Sequence, residues 1–158
     1  MAPSNFERMI QLAEDVFAVR NDPDQIDVNE DVLDRLRSIH PSTVSEYKEG
    51  NGPAAWLLVI PTTTELMLRF LEHKISEQEL FDLTPWHSKY ESLYLCSAMV
   101  LEEYRRKGIT KRLALKAIEE IRKDHPLKAM FVWSFTEEGD VAADTIAKAV
   151  KLPLYKRG

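Results

Sequence analysis

The stretch that decides the fold of this chain is Val100–Thr110, whose sequence is VLEEYRRKGIT. It follows an apolar run, turns through Gly108 and opens a segment whose apolar residues recur at the spacing of an amphipathic helix. The first backbone N–H groups of a helix have no partner within it, and the helix dipole adds about half a positive charge there. We therefore predict that a phosphate or diphosphate group binds at this turn.

The basic residues around Gly108 form a local cluster in a chain whose formal net charge is −5. They are Arg105, Arg106, Lys107, Lys111 and Arg112. Cations at a helix N-terminus oppose the helix dipole, and a bound anion would offset that cost. Gly108 would also let the backbone approach such an anion closely. The alternative interpretation is a solvated loop that precedes a basic helix.

Length and composition limit the class of protein. A chain of 158 residues, 44% of them apolar, suits one domain with a core of its own. A single cysteine, Cys96, excludes an internal disulfide, and no apolar leader opens the chain, so we expect a cytoplasmic protein. A pI of 5.4 argues against nucleic-acid binding, and the longest apolar run, Ala54–Ile60, is too short to span a membrane. The four histidines show no metal-ligand spacing, so we expect no metal.

Apolar periodicity, capping boxes and turn residues predict the order of helices and strands. The predicted elements are helices capped by Ser4 and Asn29, strands Thr43–Lys48 and Ala54–Ile60 around a Gly50–Pro53 turn, helices capped by Thr62 and Ser76, strand Glu91–Leu101, helix Ile109–Lys123, strand Ala129–Phe135, helix Gly139–Val150 and strand Leu152–Lys156. A strand, a crossover helix and a second strand imply a parallel pair. The chain is therefore predicted to mix hairpin and crossover connections in one sheet.

Tyr104–Thr110 resembles the diphosphate loop of the GNAT superfamily of N-acetyltransferases, in which Arg/Gln-x-x-Gly-x-Gly/Ala links a strand to a long helix. Arg105 and Gly108 match two of the three fixed positions. Thr110 stands at the third, where it either crowds the diphosphate or offers it a hydroxyl. The element order over residues 43–152 is also that of the superfamily, apart from an absent first strand and an extra pair of helices.

The resemblance implies an α/β, acyl-CoA N-acyltransferase-like fold in a single domain, residues 1–158. We expect a mixed central sheet with helices on both faces, a helical N-terminal part at residues 1–41 and an abbreviated C-terminus. The resemblance also implies that acetyl-CoA, as co-substrate, contacts the end of one strand and the turn that follows it. The implied contact residues are Ala98, Met99, Val100, Arg105, Arg106, Lys107, Gly108, Ile109 and Thr110.

The activity implied is direct transfer of an acetyl group from acetyl-CoA to a primary amine. The acceptor would be a small-molecule or peptide amine, and we expect neither nucleic acid nor membrane as a partner; a homodimer stays an open alternative. Two other functions compete with this interpretation. One is a non-catalytic acyl-CoA-binding or regulatory domain, and the other is an interaction domain whose basic turn docks an acidic partner.

Candidate catalytic residues are harder to find. An amine with a pKa near about 10.4 is mostly protonated at neutral pH, so its attack needs a proton acceptor or a water relay. Some superfamily members place a glutamate on the strand eleven residues before the diphosphate motif, and Tyr94 holds that place here. Glu91 and His87 are alternative bases, and Tyr155 is a candidate acid. The superfamily tyrosine that often protonates the departing thiolate corresponds to Ala147, which favours another proton donor or a non-catalytic role.

Overall fold

We analysed the fold in a computed structural model, which describes residues 4–20, 26, 30–49, 52–105, 107–134 and 136–158. Its helices and strands are α1 (Asn5–Arg20), α2 (Glu30–Ile39), β1 (Val44–Glu49), β2 (Gly52–Thr62), α3 (Thr64–Leu71), α4 (Glu77–Leu83), β3 (Ser92–Val100), α5 (Ile109–Asp124), β4 (Ala129–Val132), α6 (Glu137–Val150) and β5 (Leu154–Lys156). Single turns of 3₁₀-helix occupy Pro41–Thr43 and Glu102–Tyr104. The predicted α/β order of elements is confirmed.

The five strands form one mixed sheet in the order β1-β2-β3-β4-β5. The pairs β1–β2 and β2–β3 are antiparallel, whereas β3–β4 and β4–β5 are parallel. Helix α5 connects β3 to β4 and α6 connects β4 to β5, as parallel neighbours require. The predicted mixed sheet is confirmed.

Alternating side chains direct the two faces of the sheet to different helices. Leu93 and Met130 are buried in a cluster with apolar residues of α5 and α6. Their neighbours Tyr94 and Phe131 are buried in a second cluster with residues of α2, α3 and α4. The sheet is therefore covered by helices on both faces, as expected.

The parallel pairing of β3 with β4 is short. Ser92–Leu95 of β3 pairs with Ala129–Val132 of β4, and within the described residues this pairing goes no further. Strand β3 itself continues to Val100 against β2, with an extra residue at Cys96 between two ladder pairs. Among the described residues, no strand pairs with the β4-facing edge of β3 from Cys96 to Val100, and we call this edge open. We call the space between Cys96–Val100 and the two residues after β4, Trp133 and Ser134, the β3–β4 split.

Two short helices show which capping predictions were right. The Ser76–Glu79 capping box of α4 is confirmed, with both reciprocal hydrogen bonds present. The cap predicted at Thr62 is wrong, because Thr63 Oγ1 accepts from the Leu66 N–H at 3.2 Å. The Thr62 hydroxyl is buried and hydrogen-bonds that of Thr84 at 2.8 Å.

Several other boundaries differ from the expectation or lie beyond the structural description. Strand β4 ends at Val132, short of the predicted end at Phe135, which is itself outside the described residues. The predicted Asn29 cap and the Gly50–Asn51 part of the first turn also fall outside the described part of the chain. Ser4 does cap α1, because its Oγ accepts from the Glu7 N–H at 3.2 Å.

Candidate functional site

The turn before α5 is organised by the backbone of Gly108. This residue is the N-cap of α5 with φ 73°, a left-handed conformation that favours glycine. The Arg112 N–H donates to the Gly108 carbonyl at 3.0 Å, so the N–H groups of Ile109, Thr110 and Lys111 precede the first α-helical bond. An added Cβ at Gly108 would meet no described protein atom within 4 Å. The positive φ therefore favours glycine at this position, and no described side chain fills the space next to it.

Basic side chains surround this turn. Those that the structure describes are all exposed: Arg105, Lys107, Lys111 and Arg112. Arg106 lies outside the described residues. The first turn of α5 contains no acidic residue, so no carboxylate of that turn offsets the dipole or competes for the cations. Arg105 Nε donates to the Val100 carbonyl at 3.0 Å, which ties the turn to the end of β3.

The remaining predicted acyl-CoA contacts lie along the last residues of β3 and the first of α5. Ala98 is exposed and Val100 is half-buried. The Met99 side chain is instead buried, in a cluster with Met9 of α1 and Leu101. Of the two residues that begin α5, Ile109 is buried and Thr110 is half-buried. The structure thus brings Ala98–Val100 and the described part of Arg105–Thr110 to the same end of the sheet, while their role in binding stays a prediction.

Helix α1 is tied to the turn by an ion pair between residues far apart in sequence. Arg8 donates to the two carboxylate oxygens of Glu103 at 2.6 and 2.5 Å. This pairing lowers the pKa of Glu103 to about 2, so the carboxylate stays ionised at neutral pH. Helix α1 and the turn form the walls of a groove of about 490 Å³ that reaches Arg105. The sequence does not predict this pair, because no local pattern links residues 95 positions apart.

Tyr94, the first candidate base, is fully buried. Its phenol donates a hydrogen bond to the carboxylate of Glu77, and its ring packs against Phe70 and Phe131 with centroids 5.1 and 4.9 Å away. Glu77 is also buried, and its other oxygen accepts from the Ile26 N–H at 2.7 Å. Tyr94 and Glu77 therefore form a polar pair inside the core next to the paired half of β3. Sequence analysis missed Glu77, which looks like an ordinary exposed residue in the first turn of α4.

The other candidate catalytic residues lie apart from one another. Glu91 precedes β3 and pairs with Lys128 at 3.1 Å. Because Ala98 is seven residues further along the chain, Glu91 is about 23 Å from Ala98 in the middle of the split. His87 is exposed in the loop before β3, and Tyr155 is exposed on β5, two strands away from β3. The structure does not bring Tyr94, Glu91, His87 and Tyr155 together, so their catalytic roles stay predictions.

Two residues near the end of the sheet bear on proton donation. Ala147 is buried in α6 within the α5–α6 cluster, and it offers no side-chain donor. Ser134 follows Trp133 directly after β4, and its hydroxyl oxygen is buried without a hydrogen-bond partner in the described part of the chain. A buried hydroxyl without a partner is unusual and calls for an explanation. No signal in the sequence distinguishes Ser134 from an ordinary loop serine.

Metal ligation and membrane insertion are two further properties that concern the same described residues. No group of three or more His, Cys, Asp or Glu side chains is arranged there to hold a metal ion. No helix in that part of the chain has the length and apolar character needed to cross a membrane.

Comparisons with known proteins agree with this architecture. Residues 74–149 match the sequence model of the acetyltransferase (GNAT) family. A solved structure, the NatB acetyltransferase complex bound to a bisubstrate inhibitor, is similar with a TM-score of 0.52. At 14% identity over 85% of this chain and 67% of that one, the likeness shows the fold alone. No curated protein matches the chain at a significant level. The turn at Gly108 and the β3–β4 split therefore lie within residues 74–149, the segment that matches the acetyltransferase (GNAT) family model, in a chain that has the acyl-CoA N-acyltransferase fold.

Proposed function

We propose that this protein is an N-acetyltransferase that transfers the acetyl group of acetyl-CoA directly to a primary amine. The observation that carries the proposal is the continuation of β3 to Val100 after its pairing with β4 stops at Leu95. This open edge leads directly into a helix N-terminus surrounded by cations. One end of the sheet thereby offers both a place for an extended chain and a place for phosphates.

The diphosphate of CoA would bind at the start of α5. The N–H groups of Ile109, Thr110 and Lys111 are donors suited to phosphate oxygens, and the dipole of α5 adds favourable potential there. Arg105 and Lys107 supply positive charge beside them. The fit is supported by the open space at Gly108, where an added Cβ would meet no described atom within 4 Å.

The pantetheine arm and the thioester would lie along the open edge of β3. An unpaired strand edge presents backbone N–H and C=O groups, which are the partners that the pantetheine amides need. A backbone N–H near Ala98 or Val100 could also polarise the thioester carbonyl.

In the proposed reaction the amine nitrogen attacks the thioester carbonyl. A C–N bond forms, the C–S bond breaks, the amine gives up a proton, and sulfur leaves as the CoA thiolate. Water carries the amine proton in this proposal, because Tyr94 is buried in the core and Glu91 is far from the split. Tyr155 on β5 and His87 in the loop before β3 are the exposed candidates for proton transfer.

Ser134 is our candidate for stabilising the departing sulfur. Its buried hydroxyl lies at the end of β4 and has no partner among the described residues, so a hydrogen bond to the thiolate would satisfy it. A thiol with a pKa near about 8.5 leaves more easily than an alcohol, so a hydrogen-bond donor rather than a strong acid is sufficient. This assignment would compensate for Ala147, which stands where the family tyrosine is expected.

A non-catalytic acyl-CoA-binding or regulatory domain is the alternative. It is favoured by Ala147 and by the separation of the candidate bases. Binding of acetyl-CoA is expected from both functions, whereas release of CoA on addition of an amine is expected only from the enzyme.

The experiment is steady-state CoA release from acetyl-CoA with a panel of small amines and lysine peptides. We expect turnover with at least one acceptor, and a loss of about 10-fold or more in kcat for Ser134→Ala. Ser92→Ala is the matched control, because Ser92 also has a buried hydroxyl without a partner in the described chain but lies at the other end of β3. Binding of acetyl-CoA without turnover in the panel would favour the non-catalytic alternative.

A further inference from the structure

The β3–β4 split has two sides, and the acyl-CoA would enter from only one of them. Ala98 is paired with Leu57, and antiparallel partners point to the same face of a sheet. Leu57 belongs to the α5–α6 cluster, so the Ala98 side chain faces that side. The phosphate-binding turn also leads into α5. On the proposed function, the acyl group therefore enters the split from the α5 side and points toward the α3 side.

The α3 side of the split is occupied by Trp133. Leu95 and Val132 are the last paired residues of β3 and β4, so Cys96 and Trp133 are the first that the pairing leaves out. Cys96 belongs to the buried cluster of the α3 side, and Trp133 packs against that cluster. The Trp133 ring contacts Phe70 of α3 edge to face, with the centroids 6.1 Å apart. An indole ring thus stands at the inner end of the split.

Arg157 holds that ring in place. Its guanidinium carbon lies 4.4 Å from the Trp133 ring and 4.5 Å from the Phe70 ring, distances typical of cation–π contacts. The Nε atom donates to the Phe70 carbonyl at 3.0 Å and Nη2 to the Ile75 carbonyl at 3.3 Å. The Arg157 backbone N–H also donates to the Val132 carbonyl at 3.0 Å. This buried arginine therefore fixes both the end of β4 and the tryptophan that follows it.

We infer that Trp133, positioned by Arg157, closes the inner end of the split and limits the acyl group to acetyl. The inference rests on the proposed function and adds the acyl-chain preference of that site. A ring fixed by Phe70 and Arg157 cannot move aside without breaking these contacts, so additional methylene groups would have no room. One methylene in an apolar pocket changes selectivity by about 10–200-fold.

The direct test compares acetyl-, propionyl- and butyryl-CoA with one amine acceptor. The wild type should lose at least about 10-fold in kcat/KM from acetyl- to butyryl-CoA. We define the butyryl-to-acetyl ratio as kcat/KM for butyryl-CoA divided by kcat/KM for acetyl-CoA. Trp133→Leu should raise this ratio by about 10-fold or more, because the smaller side chain leaves room for the longer acyl chain. Trp86→Leu is the control, since Trp86 is exposed outside the split, and its ratio should equal that of the wild type.

The role of Arg157 as a positioning residue is tested by Arg157→Lys. Lysine keeps the charge but loses the planar guanidinium that stacks on the two rings. We expect the butyryl-to-acetyl ratio to rise by less than in Trp133→Leu, together with a change in the tryptophan fluorescence spectrum. A merely structural role would lower the folded fraction and leave the ratio of the folded protein unchanged.

The outcomes separate this inference from the function on which it rests. Equal use of acetyl- and butyryl-CoA by the wild type would overturn the inference while leaving the acetyltransferase intact. An unchanged butyryl-to-acetyl ratio in a folded Trp133→Leu protein would also overturn the inference. If that variant does not fold, Trp133→Phe is measured in its place. If acyl-CoAs bind without turnover, the same ratios are measured as affinities by calorimetry. Failure of every acyl-CoA to bind would contradict the proposed function, and the inference with it.

Discussion

The two halves of β3 differ in how many neighbouring strands pair with them. Ser92–Leu95 is paired on both edges, and its residues Leu93 and Tyr94 are fully buried. Ser97–Val100 is paired with β2 and, among the described residues, with no second strand, and Ala98 in this half is exposed. The change occurs where β4 ends and Cys96 bulges. The first half stabilises the sheet, while on the proposed function the second half offers its backbone hydrogen-bonding groups to an acyl-CoA.

The largest expected effect comes from substitutions that test this division. Leu93→Ala in the paired half should lower the free energy of unfolding by about 2–5 kcal/mol, because it leaves a cavity in the core. Ala98→Phe in the open half should change it by less than about 0.5 kcal/mol, yet weaken acetyl-CoA binding by obstructing the α5 side of the split. Urea unfolding and calorimetry measure both quantities. Equal destabilisation by the two variants would contradict the comparison.

Tyr94→Phe should have the next largest effect. Removing the phenol leaves a buried oxygen of Glu77 without its hydrogen bond, which should cost about 1–3 kcal/mol of unfolding free energy. Tyr90→Phe is the matched control, because the Tyr90 hydroxyl donates to a neutral carbonyl, that of Pro85, at 2.5 Å, and should cost less. We expect kcat of folded Tyr94→Phe to equal that of the wild type. A lower kcat with unchanged stability would instead support Tyr94 as a catalytic residue.

These two sites also show how far the sequence could predict the molecule. The helices, the strands and the turn at Gly108 were predictable because each has a local signal: apolar periodicity, a capping residue, or a glycine among cations. The Thr62 cap failed because Thr62 and Thr63 fit nearly the same local pattern, and only burial beside Thr84 decides between them.

The missed features of the site depend on contacts between distant residues. The family resemblance implies that the last residues of β3 separate from the neighbouring parallel strand, but the end of the pairing at Leu95 is a property of two strands together, and neither strand's sequence marks it. The hydrogen bond of Tyr94 to Glu77 and the ion pair of Arg8 with Glu103 likewise arise only when the helices pack on the sheet. The sequence could therefore predict the turn at which we propose that a phosphate binds, but not which side chains surround the β3–β4 split.

Gly108→Ala should change the free energy of unfolding less than Tyr94→Phe does, and it should weaken acetyl-CoA binding. Alanine at φ 73° costs about 1 kcal/mol, whereas its Cβ meets no described protein atom within 4 Å. A loss of acetyl-CoA affinity therefore reports contact between this turn and the ligand. Lys151→Gly is the control, because Lys151 ends α6 with φ 61°, and glycine there should stabilise the fold without changing affinity. Wild-type affinity in Gly108→Ala would place the diphosphate elsewhere.

The smallest expected effect is a pH dependence at the opposite end of α5. Burial lowers the pKa of His125, and its Nδ1 accepts from the Tyr90 N–H at 3.4 Å, which favours the neutral ring. As the pH falls, His125 is therefore protonated at a higher pH in the unfolded chain than in the folded one. The free energy of unfolding is then constant with respect to this group above a pH of about 6.5 and decreases as the pH falls below that value. Urea unfolding at several pH values should show this slope in the wild type and a smaller one in His125→Gln. The exposed His73→Gln variant should keep the wild-type slope, and an unchanged slope in His125→Gln would contradict the assignment.

The central claim, that acetyl-CoA binds across the open edge of β3 and the start of α5, is tested most directly by titration calorimetry. We expect acetyl-CoA to bind with micromolar affinity, and GTP, which carries phosphates without a pantetheine arm, to bind far more weakly. At about 100 times its dissociation constant, acetyl-CoA should raise the free energy of unfolding by about 2.7 kcal/mol. Absence of any binding heat and of any stabilisation at millimolar acetyl-CoA would contradict the account.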